Sequence, residues 1–118
     1  MLMLQILIVE DDPKLSDLYS IILNKAGYNT LCAANGQEAW GILEQEHIDL
    51  IITDIMMPVM DGYEFVRTVR QGNPLVPILI ITAREDFSSM NKGFLLGTDD
   101  YMTKPADVNE MVLRVRAL

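Results

Sequence analysis

Short, uninterrupted apolar runs alternate along this chain with stretches in which apolar residues recur every three or four positions. The runs of strand length are Leu4 to Val9, Tyr28 to Ala33, Ile48 to Thr53, Pro77 to Thr82 and, more weakly, Asp99 to Met102. Between them, Leu15, Leu18, Ile22 and Ala26 mark one helical face, and Val108, Met111, Val112 and Val115 mark another. The spacing predicts helices over 13–26, 36–46, 62–71, 86–96 and 107–117. Ile6 to Val9, Ile48 to Ile52 and Ile78 to Ile81 carry no polar alternation, which is the pattern of strands covered on both faces. A parallel sheet with helices on both sides follows. Right-handed crossovers then give an α/β, doubly wound domain of three layers.

Capping residues support the helix boundaries. Asp12 precedes Pro13, a residue that loses nothing at a first helical position because that N–H has no intrahelical partner. Asn35 with Glu38, and Asp107 with Glu110, have the spacing of a capping box. Gly27 suits a left-handed helix stop.

The 118 residues amount to one core and one domain, 1–118, with no repeat, linker or low-complexity tract. Seventeen acidic against nine basic residues give a formal charge of −8, which argues against direct nucleic acid binding by this segment. Cys32 is the only cysteine, so no intrachain disulfide is possible and a cytoplasmic location is expected. Met1 to Val9 is too short to span a membrane, lacks a basic leader and runs into Glu10-Asp11-Asp12.

In a doubly wound sheet, chemistry gathers beyond the carboxyl ends of the strands, where the strand order reverses. The first strand ends in Glu10-Asp11-Asp12, the third in Asp54 and the fourth in Thr82-Ala83, and Thr103-Lys104-Pro105 follows the fifth. A strand order of 2-1-3-4-5 sets Glu10 and Asp11 beside Asp54. Carboxylates at close range must then share a proton or a cation. With oxygen ligands and neither His nor Cys, Mg²⁺ suits this set best.

Over essentially its whole length the sequence resembles the receiver domain of bacterial two-component response regulators. The segments that carry the resemblance are Ile6 through Asp12, Asp54-Ile55-Met56-Met57-Pro58 with Met60-Asp61-Gly62, Thr82-Ala83, and Gly97 through Tyr101 leading to Lys104-Pro105. The resemblance implies a flavodoxin-like, five-stranded sheet of order 2-1-3-4-5. It makes Asp54 the phosphorylation site and gives Mg²⁺ to Glu10, Asp11, Asp54 and the main-chain carbonyl of Met56. Thr82, Ala83 and Lys104 bind the phosphoryl group, Thr82 and Tyr101 act as switch residues, and Pro105 follows a cis peptide that aims Lys104 inward. The implied partner is a sensor histidine kinase, and the chain is a phosphoacceptor rather than an enzyme.

The ending Glu110 to Leu118 is similar to the last helix of receivers that precede winged-helix DNA-binding domains. Such receivers form homodimers through the fourth helix, fifth strand and fifth helix. Asp99, Asp100, Glu110, Arg114 and Arg116 are the candidate pairing residues here. Met90, Leu95, Leu96 and Ala106 depart from that pattern, and Leu95 and Leu96 are read either as an apolar contact patch or as ordinary core and surface residues. Other functions fit less well. A flavin module would want a hydroxyl- and glycine-rich loop where Glu10-Asp11-Asp12 stands, and an aspartate-nucleophile phosphatase would want a second Asp at Met56. A receiver that has lost phosphorylation would lack some of Glu10, Asp11, Asp54, Thr82 and Lys104, and all are present. Asp12 reads as a cap, His47 as an exposed connector, Cys32 as a strand residue and Trp40 as a helix residue packing on the sheet.

Overall fold

In the computed structural model, residues 3–56, 62–83 and 97–118 are described. They form β1 (Gln5–Val9), α1 (Pro13–Lys25), β2 (Asn29–Ala33), α2 (Gly36–Gln45), β3 (Leu50–Thr53), α3 (Gly62–Gly72), β4 (Ile78–Thr82), β5 (Asp100–Thr103) and α4 (Val108–Ala117). All strand pairs are parallel and their order is β2-β1-β3-β4-β5. The helix expected over 86–96, with Met90, Leu95 and Leu96, lies outside the described residues, as do Met57, Pro58, Met60 and Asp61.

Apolar residues on both faces of each strand produce two cores. Leu7, Val9, Ile51, Ile78 and Ile80 face Ala39 of α2 and Tyr63, Val66 and Val69 of α3, with Trp40 packed against them. Ile6, Ile8, Ile52, Leu79 and Ile81 face Tyr19 and Leu23 of α1 and Met111 and Val115 of α4. The central strands are therefore buried from both sides, as their unbroken apolar runs require. Among the described residues, no helix is long and apolar enough to cross a membrane.

Local chemistry moves some boundaries by a residue or two. Tyr28 ends a helix rather than opening a strand, because its N–H donates to Leu23 O at 3.1 Å while Gly27 takes φ +101°. Ile48 is buried, yet β3 starts at Leu50. Asp12 caps α1 by accepting from Lys14 N at 2.9 Å. Asn35 caps α2 by accepting from Glu38 N at 2.9 Å, and Glu38 reaches back to Ala34 N at 3.1 Å. At α4 only half of the expected box forms. Asp107 accepts from Asn109 N and Glu110 N, but the Glu110 carboxylate pairs with Arg114 instead.

An arginine clasp fixes the amino-terminal edge of β4 and β5. Arg70 of α3 donates from Nε to Gly97 O at 2.8 Å, from Nη1 to Val76 O and from Nη2 to Asp99 Oδ2 at 2.8 Å. The same Asp99 oxygen accepts from Ile78 N. Asp99 is thus held within the chain, as is Asp100, which takes both bonds from Arg114 Nη1 at 2.7 Å. In the single chain, then, both of these candidate pairing acids are engaged by internal bases.

Candidate functional site

Strand register assembles the site. Val9 pairs with Thr53 at the last rung of β1 and β3, so Glu10 and Asp54 leave the sheet side by side. Asp54 N donates to Val9 O at 3.0 Å and keeps the exit tight. Two strands away Thr82 pairs with Thr103, and Lys104 N donates to Thr82 O at 2.8 Å. Residues 94 and 50 positions apart in sequence then meet. Lys104 Nζ lies 2.6 Å from Glu10 Oε1 and 2.6 Å from Asp54 Oδ2.

The carboxylates of Glu10, Asp11 and Asp54 place one oxygen each within 4.8 Å of one another. Glu10 is 4% exposed and Asp54 5%, whereas Asp11 is exposed. Two buried acids under one solvent-facing acid make a cup with an open rim. The set contains only hard oxygen donors, which fits a small divalent cation that keeps some of its waters. Further bonds fix the remaining lone pairs. Asp12 N donates to Glu10 Oε2 at 3.0 Å, and Met56 N donates to Asp54 Oδ1 at 3.0 Å.

Charge balance in the cup is uneven. Burial pushes the Glu10 carboxyl above its ordinary 4.5, and contact with Asp11 adds to this. The Lys104 hydrogen bond, the Asp12 N–H and the Lys104 charge oppose the rise without cancelling it. Burial alone would pull the Lys104 ammonium down, but hydrogen bonds to Asp54 and Glu10 and their charges outweigh it, and the group is held above its ordinary 10.5. Lys104 therefore stays charged and serves as an internal counter-ion.

The raised Glu10 carboxyl has a stability consequence without divalent cations. Native protein binds more protons here than unfolded chain, so this group's contribution is present below pH 4.5 and is lost as pH rises through the folded value. The Lys104 contribution, by the same reasoning, persists below pH 10.5 and is lost only at more alkaline pH. Glu10→Gln is expected to gain stability relative to wild type as pH rises from 4 to 7 in urea unfolding without metal. A difference that does not vary with pH would contradict the assignment.

The other predicted residues take distinct places. Thr82 is fully buried at the end of β4, while Ala83 beside it is exposed. Met56 is 53% exposed just beyond Asp54. The Lys104–Pro105 peptide is cis. Tyr101 is buried within the β4–β5 part of the core. His47 stands away from the cup, highly exposed, with Nε2 2.8 Å from Asp49 Oδ1. Cys32 is exposed on β2.

The family described as "Response regulator receiver domain" matches residues 6–116 of this chain. The chain is a response regulator receiver domain. Among curated relatives, it is 42% identical over 116 residues to the DNA-binding dual master transcriptional regulator RpaA of Synechocystis, covering 97% of this chain and 48% of that protein. It is 34% identical over 116 residues to the heme response regulator HssR of Staphylococcus aureus, covering 98% and 51%. This receiver spans about half the length of the curated relatives it matches. Among solved structures, it superposes on the chemotaxis protein CheY4 of Vibrio cholerae with a TM-score of 0.93 at 30% identity, covering 98% of each chain. The receiver domain of the Francisella response regulator 1452 gives a TM-score of 0.91 at 30% identity, covering 96% of this chain and 93% of that one.

Two residues near the receiver's cup are given no site role by the sequence. Gly62 N donates to Ile55 O at 3.0 Å, and a Cβ at Gly62 would collide with Ile55 Cα and Asp54 O. The sequence marks it through the Met60-Asp61-Gly62 segment of the resemblance and as the start of the helix over 62–71. Tyr19, two turns into α1, is 2% exposed with its hydroxyl unpaired. No local pattern distinguishes it from an ordinary core aromatic.

Proposed function

We propose that this receiver accepts a phosphoryl group onto Asp54 from the phosphohistidine of a sensor histidine kinase, in a Mg²⁺-dependent reaction, and so controls an output. The observation that carries this reading is the Lys104 ammonium bridging Glu10 and Asp54 at 2.6 Å each, above a three-carboxylate cup. Such an arrangement suits charge neutralisation around a transferring phosphoryl group more than proton chemistry.

Asp54 Oδ attacks phosphorus, the phosphorus–nitrogen bond of the donor breaks, and its electron pair returns to the imidazole. Mg²⁺ bound by Glu10, Asp11, Asp54 and the Met56 carbonyl would supply charge neutralisation on the phosphoryl oxygens. Lys104 transfers its contact from the free carboxylate to the phosphoryl group, and Thr82 and Ala83 line the pocket beside it. No general base is required, because the carboxylate is already ionised as the nucleophile. The product is an acyl phosphate, a temporary mark, which makes the chain a phosphoacceptor rather than a turnover enzyme. The donor would approach over Leu15, Leu18, Pro105 and Ala106, an apolar groove that also holds Lys104 in its wall.

Reading the mark falls to Thr82 and Tyr101. A hydrogen bond from Thr82 to a charged phosphoryl oxygen is worth about 1.5–3 kcal/mol, whereas full two-state switching needs about 5.5 kcal/mol. Mg²⁺, Lys104 or a partner must supply the remainder. Tyr101 is already buried, so phosphorylation would raise the population of an inward state that exists beforehand rather than create one. The relative RpaA is a DNA-binding transcriptional regulator, and a DNA-binding output outside this chain is the corresponding reading. The receiver would act in the cytoplasm, and a homodimer through the segment 86–96, β5 and α4 is one route to that output.

Intact mass after treatment with acetyl phosphate and Mg²⁺ tests the proposal. Wild type is expected to gain one phosphoryl group that is lost on standing or with hydroxylamine, and Asp54→Ala none. An adduct of equal yield on Asp54→Ala would refute it.

A further inference from the structure

Among the described residues, the hydroxyl of Tyr19 is the buried side-chain polar atom that lacks a hydrogen-bond partner. Its ring packs with Ile8, Leu79 and Ile81, where phenylalanine would fill the same space without burying an unpaired oxygen. Such an orphan calls for a physical explanation. Tyr19 shares the wall of one groove with Lys104 and Pro105. The charges that act on its hydroxyl are Lys104 foremost, then Glu10, Asp54 and Asp12. The phenol ring thus lines the same groove as the Lys104 side chain, which reaches from there to Glu10 and Asp54.

Lys104 carries three N–H donors, and Glu10 and Asp54 take two. When the three carboxylates turn to a divalent cation, Glu10 can no longer hold the ammonium as before, because like charges repel across the cup. Lys104 must nevertheless stay beside Asp54 to meet the incoming phosphoryl oxygens. We propose that Tyr19 is a positioning residue for Lys104, its phenolic oxygen accepting the N–H that Glu10 relinquishes as the cup takes a cation. A neutral acceptor does this without adding a fourth negative group. The inference rests on the metal-binding reading of the cup.

The test is Mg²⁺ titration by isothermal calorimetry at pH 7 on wild type, Tyr19→Phe, Lys104→Met and the double variant, with thermal unfolding of each in EDTA. Tyr19→Phe is expected to weaken Mg²⁺ binding about tenfold or more, the size of one lost hydrogen bond to a charged group. Its unfolding temperature in EDTA should be equal to or above wild type, because the oxygen is unpaired in that state. In the Lys104→Met background the same substitution should leave Mg²⁺ affinity unchanged. Equal affinities for wild type and Tyr19→Phe, or an undiminished loss in the Lys104→Met background, overturn the proposal. So does a lower unfolding temperature for Tyr19→Phe in EDTA. Absence of Mg²⁺ binding by wild type itself overturns the metal reading together with it.

Discussion

Lys104→Met is expected to melt about 10 °C below wild type in EDTA, and millimolar Mg²⁺ should return most of that loss. The reasoning is electrostatic. Among the described residues, Lys104 is the one cation paired with Glu10 and Asp54, and those carboxylates are 3% and 5% exposed at the side chain. Removing one partner of a buried pair leaves the other uncompensated, at a cost of about 3–5 kcal/mol. The lower end applies, because Lys104 is 18% exposed and Glu10, already raised by burial, can take up a proton. About 3 kcal/mol corresponds to roughly 10 °C for a domain of this size. A divalent cation held by the same oxygens replaces the missing charge and stabilises by mass action. Differential scanning calorimetry with and without Mg²⁺ measures both parts. An unchanged melting temperature, or a drop that Mg²⁺ leaves in place, would show that Lys104 is not the counter-ion of the cup.

Gly62→Ala should cost at least 2 kcal/mol and cut phosphoryl incorporation at Asp54 severely, estimates that follow from overpacking against rigid backbone. The added methyl would meet Asp54 O and Ile55 Cα, atoms that cannot rotate out of the way as a side-chain end can. Either α3 withdraws or the chain after Asp54 shifts, and the second outcome moves the Asp54 carboxylate itself. Gly41→Ala is the control. Gly41 lies inside α2 with nothing within 4 Å of its would-be Cβ, so alanine there should stabilise by about 0.5–1 kcal/mol through helix propensity. Urea unfolding of both variants, with intact-mass phosphorylation, separates the effects. Comparable stabilities for the two variants would contradict the close approach at Gly62.

The architecture was legible because burial on both faces leaves an unmistakable trace: Ile6 to Val9 and Ile78 to Ile81 have no polar residue to spare for solvent. Helix starts were readable for a related reason, since Asp12, Asn35 and Asp107 each satisfy N–H groups that no neighbour can reach. The cup was legible in its members, because acids and a lysine at strand ends in a sheet of this order converge. Its wiring was not. That Lys104 touches Glu10 as closely as Asp54 depends on a rotamer, and that Glu110 abandons its cap for Arg114 depends on which of two partners lies nearer. Arg70 reads in sequence as one more solvated base, yet it joins three segments separated by up to 29 positions, a relation local periodicity cannot express. Tyr19 is the same kind of case, where the ring follows the pattern and only the oxygen departs from it.

The Arg114 bonds bear on how two copies of this molecule could meet. The guanidinium is engaged by Asp100 at 2.7 Å and by Glu110 at 2.8 and 3.1 Å, all within one chain. Recruiting it across a twofold axis is therefore a swap of equivalent partners, nearly neutral in enthalpy, and charge pairing there would set the docking angle while supplying little affinity. Any force that drew two copies together would have to come from groups other than this pair, and self-association through Arg114 alone should respond only weakly to added salt.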